Sequence, residues 1–301
     1  MPRRNTVLSI GECMIEMSQS SDGSYCMGYA GDAFNTAWYL RRLFRDNWHV
    51  SFLTGVGDDK LSAEMLQFFQ REGLLTNNVW RFANRGVGLY MIHLDKGERS
   101  FSYWRKASAA RLLANNPDRL HKAMRDTDVI YFSGITVAIL PPSGRKTLFA
   151  EIERARAKGS LIVFDPNLRP KLWHDMSTMR AEITRAAGVA DIIMPSLNDE
   201  LSCFDDTNAQ DTLQRYKNAG ANLVVLKNGS SEILATGPNR ETYSLQPAAI
   251  RVPVDTTAAG DAFNAGFLSA YLDGSDIPRS LEKAAAVAGR VVGGHGALVE
   301  I

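Results

Sequence analysis

Short apolar runs alternate with longer amphipathic stretches along most of this chain, and that alternation limits the possible folds more than any other feature. The runs are Val7–Ile10, Val50–Thr54, Asp128–Phe132, Leu161–Phe164, Asp191–Met194 and Leu223–Leu226. Apolar at successive positions and bounded by polar residues, they suit strands buried on both faces. Helical patterns follow most of them, over Lys60–Glu72, Ser143–Lys158, Met176–Ala187 and Ala209–Ala219. A strand–helix repeat of this kind predicts an α/β fold with a central, mostly parallel sheet flanked by helices. Ligands of such sheets bind beyond the carboxyl ends of the strands, so the loops there are where chemistry is expected.

One region breaks the pattern. Gly86–Ile92 and Arg99–Arg105 are strand-like and are joined through Asp95-Lys96-Gly97, a hairpin-turn sequence. The two-residue period puts Arg99, Phe101, Tyr103 and Arg105 on one face. Glu12–Met17 and Tyr25–Tyr29 are also short and extended in character. Segments near 12–30 and 86–106 are therefore expected to form a small second sheet, as a lid or as an ordinary edge hairpin; periodicity does not choose. Two further helices are expected over Asp261–Leu272 and Arg279–Val292. The second is rich in alanine, which suits tight packing or contact with a flat ligand such as an adenine.

Length and charge narrow the class. The chain has 301 residues, 45% hydrophobic and 22% charged, enough apolar surface to order nearly all of it. Basic and acidic residues number 34 and 33, a net charge of +1, which argues against a nucleic-acid partner. The three cysteines, Cys13, Cys26 and Cys203, make no CxxC pair and the five histidines no close pair, so no zinc site is expected. This cysteine usage fits a reducing cytoplasm. After Met1-Pro2-Arg3-Arg4 the apolar stretch Val7–Ile10 is stopped by Gly11-Glu12, short of a signal-peptide core. No run approaches the ~20 apolar residues of a membrane span. The expectation is a cytoplasmic protein without a membrane partner.

The most informative segment is Val254-Asp255-Thr256-Thr257-Ala258-Ala259-Gly260-Asp261-Ala262-Phe263. Small residues lead straight into an expected helix, whose first backbone N–H groups and dipole suit a bound anion such as phosphate. A carboxylate at Asp261 beside that anion suits a general base for a hydroxyl proton. On residue types alone, Thr257 or Asp261 as a simple helix cap is an equal alternative.

This segment resembles the C-terminal D-T-x-G-A-G-D-x-F motif of the ribokinase/PfkB family of carbohydrate kinases, with Ala258 where many members have Gly. Gly28-Tyr29-Ala30-Gly31-Asp32-Ala33-Phe34-Asn35 is similar to the family's N-terminal G-G-x-x-x-N element, with Ala30 for one Gly. The resemblance spans the whole chain, 1–301, and implies a ribokinase-like kinase with a β-sheet lid. Gly11-Glu12-Cys13-Met14-Ile15-Glu16, Gly88-Leu89-Tyr90, Gly97–Arg105 and Phe164–Pro170 resemble, in combination, the members acting on 2-keto-3-deoxygluconate. The resemblance implies that Gly31, Asn35, Tyr90, Tyr103, Arg105 and Arg169 line the sugar site and that Asp261 is the catalytic base. An anionic sugar acid calls for a guanidinium, whose planar fork can give a carboxylate two parallel hydrogen bonds. Arg105 alone is equally an ordinary hairpin arginine; Tyr103 on the same face weakens that alternative.

The nucleotide side is less marked. No GxxxxGK[ST] occurs, which excludes a P-loop enzyme. The resemblance implies ATP contacts at Asn167, Arg169, Lys227, Gly229, Ser231, Ala258, Ala259 and Gly260, although Lys227–Ser230 also reads as a plain turn. The family's N-x-x-E element, which helps hold Mg²⁺, corresponds to Ser196-Leu197-Asn198-Asp199, so Mg²⁺ dependence is expected without named contacts. Some members also hold a monovalent cation near the equivalent of Asp255, a point the sequence leaves open. Pairing of lid sheets in relatives implies a homo-oligomer. The rivals to a keto-deoxy-acid kinase are a fructose or ribose kinase of the same family and a sugar-acid or nucleotide sensor without turnover.

Overall fold

The computed structural model describes residues 4–20, 22–95, 98–249 and 253–301, leaving out the side chains of residues 94, 95, 98 and 99. In chain order the strands are β1 (Thr6–Ile10), β2 (Met14–Gln19), β3 (Tyr25–Ala30), β4 (His49–Val56), β5 (Val79–Arg81), β6 (Gly88–Asp95), β7 (Glu98–Trp104), β8 (Val129–Ser133), β9 (Leu161–Asp165), β10 (Ile192–Ile193), β11 (Leu223–Leu226), β12 (Ile233–Thr236) and β13 (Thr242–Leu245). Nine of them make the large sheet, ordered β13-β12-β11-β10-β9-β8-β1-β4-β5. It is parallel from β11 to β5 and ends in the antiparallel pairs β11–β12 and β12–β13.

The two-residue period explains why both faces are covered. Along β1, Val7 and Leu8 point to opposite sides, as do Phe52 and Leu53 on β4 and Tyr131 and Phe132 on β8. One face packs on the helices Asp32–Leu43, Ala259–Leu272 and Ile277–Val292; the other packs on Pro142–Ala157, Met176–Gly188 and Ala209–Asn218. The alanine-rich last helix meets the expectation of tight packing. A Cβ on Gly266 would stand 2.8 Å from Ala284 Cα, so the two C-terminal helices approach backbone to backbone.

The four extended segments expected near 12–30 and 86–106 do form a sheet of their own, ordered β3-β2-β6-β7. β6 and β7 pair antiparallel through Asp95 and Glu98; the turn at Lys96-Gly97 and the side chain of Arg99 lie outside the described residues. The sheet rests on the large unit through a cluster of Met14, Ala30, Tyr90 and Ala297, with Ala258 packed against it. The expected strand Asp191–Met194 shortens to Ile192–Ile193, and the edge strands β5 and β13 and the four-residue β12 between β13 and β11 had no predicted counterpart. Among the described residues all three cysteines are free, and no helix is long and apolar enough to cross a membrane.

The chain leaves β1 for β4 on one side and later returns to β8 on the other. Between β1 and β8 the strand order therefore reverses, and crevices at such points are where open α/β sheets bind ligands.

Candidate active site

Asp261 lies in the first turn of the Ala259–Leu272 helix and is 8% exposed. Neither Thr257 nor Asp261 caps that helix: no side chain does. Thr257 instead donates its backbone N and Oγ1 to Asp255 Oδ1, at 2.9 and 2.6 Å, and Asp255 Oδ2 accepts from Gly296 N at 2.9 Å. Asp255 thus ties the loop before the helix to the chain's last turn. The N-cap is Ala258, with φ 59° in the left-handed region that favours glycine. That is the position at which related motifs carry Gly, so the substitution is borne as backbone strain.

Asn35 Nδ2 donates to Asp261 Oδ2 at 2.8 Å, and Gly31 N donates to Asn35 Oδ1 at 3.2 Å, which fixes the amide with its donor toward the carboxyl. Gly31 is dictated by packing: a Cβ there would stand 2.1 Å from the Glu12 carbonyl oxygen. Burial pushes the Asp261 carboxyl up to about 8; Asp32 and, less, Asp165 push the same way, while Asn35 and Lys227 oppose. A carboxyl with proton affinity near neutrality is what a general base for an alcohol needs.

Around this carboxyl the sequence reading missed a buried polar network. Lys227 Nζ donates to Asp165 Oδ2 at 2.7 Å and to Asn264 Oδ1 at 3.1 Å. Asn264 Nδ2 donates to Asp165 Oδ2 at 2.5 Å and to the Tyr131 hydroxyl at 3.1 Å. Asn167, at φ 32°, donates its backbone N to Asp165 Oδ1 at 3.0 Å and its Nδ2 to Asp32 Oδ2 at 2.8 Å. Asn167 and Lys227, expected at the nucleotide, are thus joined to the surroundings of the base. A signal existed for Asn264: it is the one amide in the otherwise small and apolar run Ala262–Leu268 and follows Asp261 by three residues, on the same helix face. Asp165 closes an apolar strand at the carboxyl edge, a weaker cue.

On the second sheet Tyr90 and Tyr103 are cross-strand partners with ring centroids 5.8 Å apart. Tyr90 is buried and donates its hydroxyl to Glu16; burial first and then Glu16 hold that phenol far above its ordinary value. Tyr103 is 54% exposed, open for a ligand to cover. Arg105 does not stand free: its guanidinium pairs with the buried carboxylate of Glu12, just beyond β1. A Cβ on Gly88 would come within 2.9 Å of Glu12 Oε1, so Gly88 as well as Gly31 makes room for Glu12.

Arg169 is half-exposed; its Nη1 donates to Leu168 O at 2.7 Å and to Asp199 Oδ2 at 3.3 Å. It thereby joins the loop after β9 to the first turn of the Leu197–Cys203 helix. Gly229 (φ 57°) and Ser231 form an exposed turn after β11, beside Lys227. The neighbouring Glu200 is fully buried against Arg215 and Tyr216, and burial pushes its carboxyl up to about 7. Among the described residues no group of three His, Cys, Asp or Glu could hold a metal. Asp199, part-exposed in the first turn of the Leu197–Cys203 helix, is a hard oxygen donor of the kind an Mg²⁺ held otherwise by phosphate oxygens and water could use.

Comparison with known proteins gives the family and the fold. The pattern of the pfkB family carbohydrate kinases matches residues 4–300. The chain is 36% identical over 296 residues to the 2-dehydro-3-deoxygluconokinase of Haemophilus influenzae, spanning 97% of this chain and 94% of that protein. It is also 36% identical over 300 residues to the 2-dehydro-3-deoxygluconokinase of Dickeya dadantii, spanning 97% and 96%. The solved fructokinase of Xylella fastidiosa with bound ATP has the same fold, with a TM-score of 0.85 at 23% identity over 98% of this chain and 94% of that one.

Proposed function

The chain belongs to the pfkB family of carbohydrate kinases, and from that premise we propose that it moves the γ-phosphoryl group of ATP to the 6-hydroxyl of 2-keto-3-deoxygluconate, the 2-dehydro-3-deoxygluconate of its relatives' names. The product is the 6-phosphate. The observation that carries the reading is Asp261: a buried carboxyl of raised proton affinity at an uncapped helix start, held by Asn35.

Asp261 takes the hydroxyl proton as the oxygen attacks phosphorus. The backbone amides of Ala258 and Gly260, at the positive end of the helix dipole, face the charge that develops on the transferring group, while Ala259 N donates to Thr256 O at 3.2 Å and shapes the turn. Mg²⁺, when bound, draws negative charge from the phosphate oxygens, with Asp199 in reach. Lys227, Gly229, Ser231, Asn167 and Arg169 border the nucleotide. Gly31, Asn35, Tyr90, Tyr103, Arg105 and Arg169 line the sugar pocket, where Arg105, oriented by Glu12, takes the substrate carboxylate. The second sheet acts as a lid that excludes water and so limits hydrolysis of ATP. The same reading has the protein working in the cytoplasm as a homo-oligomer.

ADP release with Mg-ATP tests it, comparing 2-keto-3-deoxygluconate with fructose, ribose and gluconate. Selective turnover of the keto-deoxy acid is expected. Preference for a neutral sugar would discard the substrate while keeping Asp261, and binding without ADP release on any of them would favour a sensor.

A further inference from the structure

Asp165 closes β9 with only 3% of its surface exposed, where an unpaired carboxylate would be strongly destabilising. Lys227 supplies the counter-charge at 2.7 Å, and Asn264 completes a closed triangle of side chains with the two. The Lys227 ammonium also lies 3.8 Å from where a Gly260 Cβ would stand, against the first turn of the helix that carries Asp261. Asn264 sits on that helix three residues after Asp261, and its bond to Tyr131 anchors it to β8. Fully satisfied, such a buried network holds one arrangement; half-satisfied, it is costly.

We propose that Asp165 and Lys227 are a matched pair of positioning residues for the base: through Asn264 they hold the first turn of the Ala259–Leu272 helix, and their opposite charges offset one another at Asp261. The proposal rests on the reading of Asp261 as the base. Neither residue need touch the reacting atoms for it to hold.

The charged and titratable groups around Asp261 come from four elements. Asp32, with the neutral Asn35, belongs to the Asp32–Leu43 helix, as does Tyr39; Tyr131 comes from β8, Asp165 from the end of β9 and Lys227 from the loop after β11. Burial acts first, Asp32 and Asp165 favour the protonated carboxyl, and Lys227 favours the ionised one. Loss of Lys227 alone leaves the Asp165 charge unopposed, so Asp261 keeps its proton to higher pH. Loss of Asp165 alone does the reverse, and loss of both returns Asp261 near its starting point.

The direct test is a titration of the Asp261 carboxyl by ¹³C NMR on the full chain labelled at aspartate, with the signal assigned by its loss in Asp261→Asn. Lys227→Gln is expected to move the titration midpoint up, and Asp165→Asn to move it down, each by roughly one pH unit. The double variant is expected within a few tenths of a unit of wild type. Midpoints unmoved in both single variants, or a double variant displaced as far as the worse single one, would overturn the proposal. If Lys227→Gln does not fold, Asp165→Asn against the double variant decides by the same criterion. The acid limb of kcat/KM should shift in parallel on whichever sugar the wild type turns over. The titration needs no substrate, so failure of the substrate reading and failure of this proposal are separate results.

Discussion

Replacing Asp261 with Asn should make the protein a far worse enzyme and, at neutral pH, a more stable one. Asn is nearly isosteric, and its side-chain oxygen can still accept the hydrogen bond that Asn35 Nδ2 gives at 2.8 Å. What changes is the ionisation. Burial holds the native carboxyl protonated up to about 8, whereas its ordinary value is 3.8. As pH rises above 3.8 the unfolded chain loses this proton and the native state keeps it, so stability falls with pH across that window. A little over three pH units of the window lie below pH 7, and at 1.36 kcal/mol each they amount to about 4 kcal/mol. The variant has no such proton to release. Urea unfolding at pH 4 and pH 7 should therefore give nearly equal stabilities at the first pH and an advantage of about 4 kcal/mol for Asp261→Asn at the second. Turnover measured by ADP release should fall by about 10²- to 10⁴-fold, the usual worth of a general base, while ATP binding is retained. Equal stability at both pH values would mean that the native carboxyl ionises normally, and wild-type turnover would remove it as the base.

The same carboxyl gives wild-type kcat/KM an acid limb that rises from pH 6 and levels off above about 8, read from a pH–rate profile; a flat profile across that range would contradict it. Arg105→Ala should raise KM for the keto-deoxy acid by about 10- to 150-fold, the loss of a charge-assisted bond, with little effect on neutral sugars. It should also lower the melting temperature by stranding the buried Glu12 carboxylate, and Glu12→Gln in the same chain should recover part of that loss. Ala258→Gly should add about 1 kcal/mol of stability by relieving a left-handed backbone at φ 59°, seen as a higher urea midpoint with unchanged slope. Gly31→Ala sets a Cβ against a backbone oxygen 2.1 Å away and should abolish folding or activity; normal behaviour would mean that Glu12 and Gly31 can part easily.

The fold was legible because it follows from patterns that local residues carry. Six apolar runs became β1, β4, β8, β9, β10 and β11, since a strand covered on both faces has to be apolar at nearly every position. The second sheet was legible for the complementary reason, as Phe101 and Tyr103 alternate with the polar Ser100 and Ser102. The edge strands β5 and β13 escaped because an edge strand needs no apolar run, and β12, paired on both sides, escaped because its apolar run Ile233-Leu234-Ala235 is only three residues long.

The site divides in the same way. Asp261, Asn35 and Gly31 stand in motifs that can be read as motifs, and the structure brings them into one hydrogen-bonded chain. Asp165, Asn264 and Lys227 meet across separations of 37 to 99 residues; the lone amide in its helix and the carboxylate that ends β9 stand out locally, but nothing local says that they will share one network with Lys227. Glu12 joins both kinds of information. Its carbonyl leaves no room for a side chain at residue 31, and its carboxylate crowds residue 88 and holds Arg105. Three stretches that looked like separate signatures, Gly11-Glu12, the Gly31 element and Gly88-Leu89-Tyr90, thus meet at one residue, the second through its backbone and the third through its carboxylate. Substitutions at Gly88 and Arg105 should accordingly fail to add independently, each depending on the side chain at residue 12, whereas the cost of a side chain at residue 31 should not change with it.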